Sequence, residues 1–335
     1  MIGDEKLTLT KLAKLANVSV STASKAFSMS SEVNEETREA VFEAARKSGC
    51  FRRFFNAKYP KPTVTVICPE LFSRFYSGIA SDLERAFRES GYDVSFSTTD
   101  FSDEKTEDLV SYYDRYTDSD LLIVMGNAPK GAHREIPIIQ IGGENDDTDN
   151  ADGYIRLEFD QAMREVIDSL YRSGVKSVGF IGEKHTYMKQ NLISELLKEY
   201  DFDSLRVSVS AERFEKGGYT AVETMLNEGL PFPEALICAY DYMAIGAVRK
   251  LNEVGIAVPG QVSVFGMDDL PECEYLTPSL SSVGWSGREI SSAAVKLALD
   301  ILDGKNENRK ITVRASANFR ESSLRINRSS VTADE

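Results

Sequence analysis

The hydrophobic pattern of the chain changes at about residue 63, and this change decides its architecture. After that point, continuous apolar runs alternate with helical segments of about 12–18 residues. Continuous rather than alternating apolar strands are typical of parallel sheets covered by helices on both faces. The runs are VTVICP, DVSFSTT, DLLIVMG, IPIIQIG, SVGFIG, LRVSVS, ALICAY and VSVFGM. About eight such units exceed one doubly wound sheet, so the pattern predicts an α/β fold with two similar halves.

The first 60 residues have a different pattern, with short helices and no strand. Thr8 and Ser19 are placed to cap two helices, and Asn17 stands between them where the chain must turn. Asn34 begins a third helix, NEETREAVFEAARKSG. Two short helices around a tight turn, with a third that completes the core, are typical of a helix-turn-helix module. The stretch YPKPT predicts a linker, so we place a small all-α domain at residues 1–59.

The charges are divided unequally between these two parts. The whole chain of 335 residues has a net charge of −14, yet residues 1–62 contain 11 Lys and Arg against 7 Asp and Glu. The remainder contains 28 against 46. A basic head on an acidic body is the asymmetry of a small nucleic-acid-binding module joined to a domain that binds something else.

Several classes of protein are disfavoured by the sequence. No run approaches the roughly 18 apolar residues of a membrane span, and the N-terminus has no apolar signal region, so we expect a cytoplasmic protein without membrane contact. Four scattered cysteines without a CxxC pair, and only two histidines, predict no disulfide scaffold, metal or cofactor. No GxSxG, P-loop or GxGxxG motif occurs, and neither His133 nor His185 belongs to a recognisable catalytic set, so we expect no enzyme. The acidic stretch 144–152 lacks EF-hand spacing and is expected to be a solvated loop.

The loops after five of the predicted strands are the places where a ligand is expected. Ligands of doubly wound sheets bind beyond the carboxyl ends of the strands. This rule selects the loops that follow Pro69, Gly126, Gly182, Tyr240 and Met267.

Some segments are distinctive enough to compare with known families. Near the N-terminus these are TLTKLAKLANVSVSTASKAFS and VNEETREAVFEAARKSG. Later come FYSGIASDLERAFRESGY and, near residue 320, FRESS. The most specific block, CAYDYMAIGAVRKLNEVGIAVPGQVSVFGMDDLPECEYLTPSLSSV, joins D-x-x-A-x-G, VP, VSVxGxDD and an LTP turn. From about residue 8 to residue 323, the chain resembles the lactose/galactose repressor family of bacterial transcription regulators, in which FRESS matches the closing strand.

The resemblance implies a helix-turn-helix headpiece, a hinge and a periplasmic-binding-protein-like core. The core would occupy residues 60–330, with an N-subdomain at about 63–157 and 286–313 and a C-subdomain at about 158–285 and 314–330. Such proteins form homodimers, bind double-stranded operator DNA, and hold a small molecule, commonly a sugar, between the subdomains. We therefore expect a sequence-specific transcription regulator whose activity is controlled by an effector. Of the possible regulators, a repressor is the first expectation. The alternative is a cytosolic ligand sensor that acts through a protein partner such as a phosphocarrier.

The resemblance also implies which headpiece residues contact DNA. The second helix of such a module lies in the major groove, where a lysine is suited to guanine O6 and N7. The family's base-facing positions hold Val20, Ser21 and Lys25. The positions suited to phosphate contacts hold Ser19, Thr22 and Ser24. The alternative is that these small polar residues only cap and solvate the helix.

The predicted hinge departs from the family pattern. Arg52 stands where many members have Pro, and Tyr59 stands roughly where they have the Leu that enters the minor groove. Arg52, Arg53 and Lys58 are candidates for phosphate contacts. Phe54 and Phe55 are expected to be packing residues.

Asp268 is the strongest candidate for an effector ligand. It follows a strand in GMDD, where a carboxylate can accept two sugar hydroxyl hydrogen bonds, and the family uses this position. A turn-capping role is the alternative for Asp268 and is the role expected for Asp269. Asp241 opens the helix of DYMAIG and is expected to be both an N-cap and a cleft residue. Tyr240 stands where many relatives carry a cleft Asn.

Aromatic residues are expected to complete the effector site. Phe75 and Tyr76 match an aromatic pair after the first core strand and are suited to stacking on a sugar. Arg213 and Phe214 compete for a position where relatives have an aromatic residue. Trp285, beside the expected last crossover, either stacks on a sugar or only packs between the subdomains.

The chain lacks an arginine that relatives use to bind the effector. They usually carry an Arg in R-L-x-G-F that clamps the effector, and the aligned segment here is NLISEL, with Asn191. Asn191, Lys189 and Gln190 are candidate replacements, but none offers a bidentate grip. The site is therefore predicted to suit a neutral sugar better than an effector held by a carboxylate or phosphate.

Overall fold

The computed structural model describes most of the chain. The described residues are 8–48, 54, 62–117, 119–130, 134–143, 150–305 and 309–323. The hinge residues Arg52, Arg53, Lys58 and Tyr59 lie outside them, as do Phe55, His133 and most of the acidic stretch. Within the described ranges, no helix has both the length and the apolar character needed to cross a bilayer.

The N-terminal domain contains three short helices within residues 8–48. These are α1 (Leu9–Leu15), α2 (Val20–Phe27) and α3 (Glu35–Lys47). The side chains of Thr8, Ser19 and Asn34 each accept a hydrogen bond from a backbone N–H in the first turn, so the three predicted caps are confirmed. Asn17, at the turn between α1 and α2, adopts the left-handed conformation with φ 52°.

The three helices pack around a small apolar core. Phe27 lies against Phe42, with ring centroids 5.4 Å apart, and against Phe54 at 5.6 Å. Phe54 is therefore a packing residue, as predicted. Leu12 is fully buried, whereas Leu15, which belongs to the same apolar stripe, is 61% exposed because α1 ends there.

Strands and helices alternate in the remainder of the chain, as predicted. The strands are β1 (Thr63–Cys68), β2 (Asp93–Thr98), β3 (Leu121–Met125), β4 (Ile138–Ile141), β5 (Gly153–Glu158), β6 (Ser177–Glu183), β7 (Ser204–Ser210), β8 (Ala235–Cys238), β9 (Ser263–Met267), β10 (Ser281–Gly284), β11 (Lys310–Arg314) and β12 (Ser316–Asn318). The helices are α4 (Arg74–Glu89), α5 (Asp103–Tyr116), α6 (Asp160–Arg172), α7 (Tyr187–Leu197), α8 (Phe214–Asn227), α9 (Asp241–Glu253) and α10 (Gly287–Leu302).

In the described part of the chain, these strands form two six-stranded sheets, so the prediction of two α/β halves is confirmed. The first sheet has the order β11-β5-β4-β3-β1-β2 and is parallel throughout. The second has the order β12-β10-β9-β8-β6-β7, in which β12 is antiparallel to β10. The chain therefore crosses between the halves after β5, after β10 and between β11 and β12.

Four strands were not predicted from apolar runs: β5, β10, β11 and β12. Charged or small polar residues interrupt their sequences, which are GYIRLE, SSVG, KITVR and SAN. The expected closing strand FRESS lies just after β12 and is a turn instead. A side-chain hydrogen bond fixes Ser322 of this turn, because its hydroxyl donates to the Val264 carbonyl oxygen at 2.6 Å.

The strands of the first sheet fall within residues 63–158 and 310–314, and those of the second within 177–284 and 316–318. The boundary of the headpiece at residue 59 and the subdomain boundaries remain predictions.

Candidate functional site

One face of α2 is exposed and largely polar. Ser19, Val20, Ser21 and Ser24 are exposed to solvent on it, and Val20 is 42% exposed. The Ser19 hydroxyl oxygen accepts the backbone N–H of Thr22 at 2.9 Å and lies 2.8 Å from the Thr22 hydroxyl. Ser19 and Thr22 therefore cap the helix, and Val20, Ser21 and Ser24 form its free surface. Contact of these five residues with DNA stays a prediction.

Lys25 lies beside this face and forms an ion pair with Glu32 in the loop between α2 and α3. The side chains are 43% and 67% exposed, respectively. An ion pair as exposed as this one contributes little stability, so Lys25 can exchange Glu32 for another partner at small cost.

A cavity of about 510 Å³ lies between the two sheets, at the carboxyl ends of their strands. All five loops selected by the strand-end rule contribute to its walls. Lining residues of the first half include Glu70, Phe75, Tyr76, Phe101 and Asn127. Lining residues of the second half include His185, Lys189, Arg213, Phe214, Tyr240, Tyr242 and Asp268. A molecule in this cavity would touch both halves.

Arg213 joins the two walls of the cavity. Its Nη1 and Nη2 donate to the two carboxylate oxygens of Glu70, at 3.1 and 2.9 Å, and its Nε lies 3.3 Å from Oε2 of Glu183. Glu70 follows β1 in the first half, whereas Arg213 and Glu183 belong to the second. The hydrogen bonds that Arg213 donates to Glu70 raise the pKa of Arg213 above its already high ordinary value. The rings of Phe214 and Phe101 lie 4.5 and 5.3 Å from the guanidinium carbon.

Asp268 lies on the cavity wall in an uncommon backbone conformation. Its φ is 113°, and such strain is typical of sites that position a functional group. The conformation needs glycine at position 284 of β10, because a Cβ there would lie 2.5 Å from the Asp268 carbonyl oxygen. The Asp268 side chain is 8% exposed, and Lys189 Nζ lies 3.6 Å from its Oδ1. Burial raises the pKa of Asp268 to about 6.

Asp241 does not line the cavity, which corrects the expectation that it is an N-cap and cleft residue. Asp241 is fully buried, and both of its carboxylate oxygens have partners inside the protein. Its Oδ2 accepts a hydrogen bond from the backbone N–H of Leu270 at 2.7 Å, and its Oδ1 accepts one from the Ser282 hydroxyl at 2.5 Å. Tyr240 holds the N-cap position of α9. Burial, with the nearby charge of Asp268, raises the pKa of Asp241 to about 7. Asp241 therefore ties the loop after β9 to α9.

Asn191 is also absent from the cavity wall, and Lys189 lies there instead. Residues two apart on a helix do not share a face, and Asn191 is exposed on the outer side of α7. Lys189 Nζ donates to the Ala239 carbonyl oxygen at 2.7 Å and lies 5.1 Å from the ring centroid of Tyr240. The Tyr240 hydroxyl donates to Oε1 of Glu183 at 2.5 Å.

Aromatic rings form much of the remaining wall. Phe75 contacts Tyr76 and Trp285 edge to face, with centroids 5.1 and 6.0 Å apart. Tyr76 contacts Phe101 at 5.9 Å, and Phe101 stacks on His185 at 5.5 Å with an interplanar angle of 12°. Phe75, Tyr76 and Trp285, all predicted from the sequence, therefore lie together.

The structure thus brings most of the predicted effector residues to one place. These are Phe75, Tyr76, Arg213, Phe214, Tyr240, Asp268 and Trp285. Sequence reasoning missed Glu70, Phe101 and Glu183 and gave His185 no role here. Glu70 and Glu183 directly follow Pro69 and Gly182, the points at which the strand-end rule had located two of the ligand loops, so that rule contained the signal. Among the described residues, no group of three or more His, Cys, Asp or Glu side chains is arranged to hold a metal.

Two family models match the chain. The model of bacterial regulatory proteins of the lacI family matches residues 8–50, and the model of the periplasmic binding protein-like domain matches residues 167–323. Among curated relatives, the HTH-type transcriptional repressor MelR of Bacillus subtilis (strain 168) is 28% identical over 179 residues, 50% of this chain and 52% of MelR. The HTH-type transcriptional regulator GanR of the same organism is 24% identical over 330 residues, 90% of this chain and 95% of GanR.

Two solved structures share the fold over nearly the whole chain. The complex of the transcriptional regulator CelR with cellobiose is 23% identical with a TM-score of 0.65, covering 94% of this chain and 99% of CelR. The lac repressor dimer bound to operator and the anti-inducer ONPF is 21% identical with a TM-score of 0.68, covering 95% of this chain and 99% of that one.

The chain therefore joins a lacI-family helix-turn-helix domain to a periplasmic-binding-protein-like domain, which is the domain arrangement of the lactose/galactose repressor family. It is a DNA-binding transcription regulator of this kind.

Proposed function

We propose that this regulator is a homodimeric repressor whose operator binding is controlled by a neutral sugar held between its two α/β halves. The observation that carries the proposal is the shared cavity, in which aromatic rings from both halves stand beside paired polar groups. Aromatic faces suit the apolar faces of sugar rings, and a few placed polar groups fix orientation. The cellobiose in the CelR complex supports this class of effector.

Within the cavity, we assign the recognition of sugar hydroxyl groups to Asp268 and stacking to Phe75, Tyr76 and Trp285. A carboxylate accepts hydrogen bonds from hydroxyl donors, and Asp268 is already held in place by its backbone and by Lys189. Asp241 and Asn191 have no part in this assignment, because they do not line the cavity.

For the headpiece, we propose that α2 enters the major groove of operator DNA. Val20, Ser21 and Lys25 would read base edges, while Ser24 and the hinge residue Arg53 would contact phosphates. The dimeric operator complex of the lac repressor supports a dimer with two headpieces on one operator. Such a protein acts in the cytoplasm of a bacterial cell, where its DNA lies.

Control would follow from the position of the cavity between the halves. A ligand that touches both halves favours the arrangement in which it makes most contacts. If that arrangement changes the spacing of the two headpieces, sugar binding and DNA binding are coupled, and the coupling is reciprocal.

We infer further that the cavity binds its sugar without chemical change. Its arginine and lysine side chains are engaged in pairs, Arg213 with Glu70 and Lys189 with Asp268, rather than poised for proton transfer. The relatives MelR and GanR are named as regulators, which supports a binding role.

The test combines DNA selection with a sugar panel. Full-length protein selects binding sequences from a randomised DNA pool, and neutral mono- and disaccharides are then titrated into the complex and into free protein. One sugar is expected to raise the melting temperature by mass action and to change the DNA affinity. Affinity that is independent of DNA sequence, or a panel that changes neither quantity, would contradict the proposal.

A further inference from the structure

The guanidinium of Arg213 is the group in the cavity best suited to hold an anion, and the protein's own side chains already occupy it. Glu70 takes both terminal nitrogens, at 2.9 and 3.1 Å, and Glu183 lies 3.3 Å from Nε. Phe214 and Phe101 lie near its planar group. A ligand carboxylate or phosphate would need the same two terminal nitrogens of the guanidinium for a bidentate interaction. Glu70 therefore stands where an anionic ligand would bind.

Lys189 is the second basic side chain on the described cavity wall, and it too is engaged. Its Nζ donates to the Ala239 carbonyl oxygen at 2.7 Å and lies 3.6 Å from Oδ1 of Asp268. The ammonium also lies 5.1 Å from the ring centroid of Tyr240. Lys189 therefore offers little uncompensated charge to an incoming anion.

The carboxyl groups around the cavity outnumber these two cations. Glu70, Asp103 and Asp268 line the cavity, and Glu183 lies behind Arg213. Like charges repel more strongly in a partly closed site than in water, because the effective dielectric constant is lower. Among the described lining residues, an anionic ligand would meet this repulsion and find Arg213 and Lys189 already paired with carboxylates.

We propose that Glu70 is a specificity-determining residue. By holding Arg213 from the opposite half, it makes the cleft reject anionic effectors, such as sugar phosphates and sugar acids, and leaves neutral sugars as the accepted class. The inference rests on the proposed function, since it concerns the same cavity. Glu70 acts by occupying Arg213, so removal of Glu70 should convert the cleft into an anion site.

The test measures the binding of anions to the full-length protein and its variants. Inorganic phosphate, glucose 6-phosphate and glucuronate are titrated at constant ionic strength, with calorimetry and the emission of Trp285 as readouts. Wild-type protein is expected to show no saturable binding of any of them. Glu70→Ala is expected to bind at least one of them about tenfold or more tightly than the weakest affinity that the titration can detect. Glu70→Gln, of the same shape, should show a smaller gain. The double variant Glu70→Ala/Arg213→Gln should lose the gain.

A matched control is the ion pair of Arg206 with Glu228, which lies within the second half and away from the cavity. Glu228→Ala should acquire no anion binding. Anion binding by wild-type protein that Arg213→Gln abolishes would overturn the inference. So would the absence of any gain in folded Glu70→Ala or, should that variant not fold, in Glu70→Gln. Failure of the proposed function would give a different result from failure of this inference. In that case no neutral sugar would change DNA binding by the wild-type protein.

Discussion

The indole N–H of Trp285 donates a hydrogen bond of 3.2 Å to the carbonyl oxygen of Glu158. Glu158 ends β5 of the first sheet, and Trp285 directly follows β10 of the second, so each residue begins a crossover between the halves. The bond therefore ties two crossovers together beside the cavity that Trp285 lines. A change in the angle between the halves would alter the surroundings of the indole.

This position makes Trp285 an expected reporter of effector binding. It is the only tryptophan in the chain, and its ring packs against Phe75 and Phe159, each 6.0 Å away. We expect a saturable shift in fluorescence emission when a binding sugar is titrated, through contact or through closure. Trp285→Phe should remove the signal. Loss of affinity in that variant would favour stacking, and retained affinity would favour packing. A sugar that releases DNA without any change in emission would contradict the assignment.

The bridge between Glu70 and Arg213 should also limit access of solvent to the cavity. Arg213→Ala removes the bridge and leaves Glu70 and Glu183 without their shared cation, so the closed arrangement should become less populated. Quenching of Trp285 emission by acrylamide is expected to increase. Arg206→Ala, which removes an ion pair within one half, should leave quenching unchanged. Equal quenching in wild type and Arg213→Ala would show that the bridge does not hold the halves together.

The fold was largely predictable because its signals are local. Continuous apolar runs marked eight of the twelve described strands, and the cap residues Thr8, Ser19 and Asn34 marked the headpiece helices. Strand β11, KITVR, was not predictable, because charged and polar residues alternate with its apolar ones and leave no continuous apolar run. The site was predictable only in part. The strand-end rule located its loops, but the pairing of Glu70 with Arg213 joins residues 143 positions apart and depends on how the two halves meet.

Lys25 is expected to supply base discrimination by the headpiece. Lys25→Ala should reduce the preference for selected over random DNA by roughly 1–3 kcal/mol, the cost of a lost base contact. Because Glu32 pairs with Lys25 in the structure, Glu32→Gln should free the ammonium and strengthen binding to both kinds of DNA. Lys47→Ala, on α3, is the control and should leave discrimination unchanged. If Lys25→Ala lost the same amount of binding free energy on selected and on random DNA, Lys25 would contact only phosphates.

The buried carboxyl of Asp241 should make stability depend on pH. Burial, with the charge of Asp268 nearby, raises its pKa from 3.8 to about 7, so the folded state binds a proton that the unfolded state releases. Stability from this group is therefore present at low pH and is lost as pH rises from about 4 to about 7. Asp241→Asn should reduce the loss of unfolding free energy between about pH 5 and about pH 8 by on the order of 2 kcal/mol. Urea unfolding at both pH values tests this, and an unchanged pH dependence would contradict it.

Asp268 should be required for the effector but not for DNA. Asp268→Asn keeps the size of the side chain, removes the charge that accepts hydroxyl hydrogen bonds, and leaves Lys189 without its counterion. A hydrogen bond to a charged group contributes about 1.5–3 kcal/mol, so the affinity for the sugar identified by the panel should fall about tenfold or more. DNA affinity without sugar should not change.

The adjacent Asp269 provides the matched control for this prediction. It also has a positive φ, of 50°, but its carboxylate accepts hydrogen bonds from Asn318 and Arg320, at 2.8 Å each, and does not line the cavity. Asp269→Asn is therefore expected to lower the free energy of unfolding while sugar affinity, measured by calorimetry, stays close to that of the wild type. If both variants lost sugar affinity equally, the turn as a whole rather than the Asp268 carboxylate would account for the effect. If Asp268→Asn bound the sugar as tightly as the wild type, Asp268 would not be a ligand of the effector.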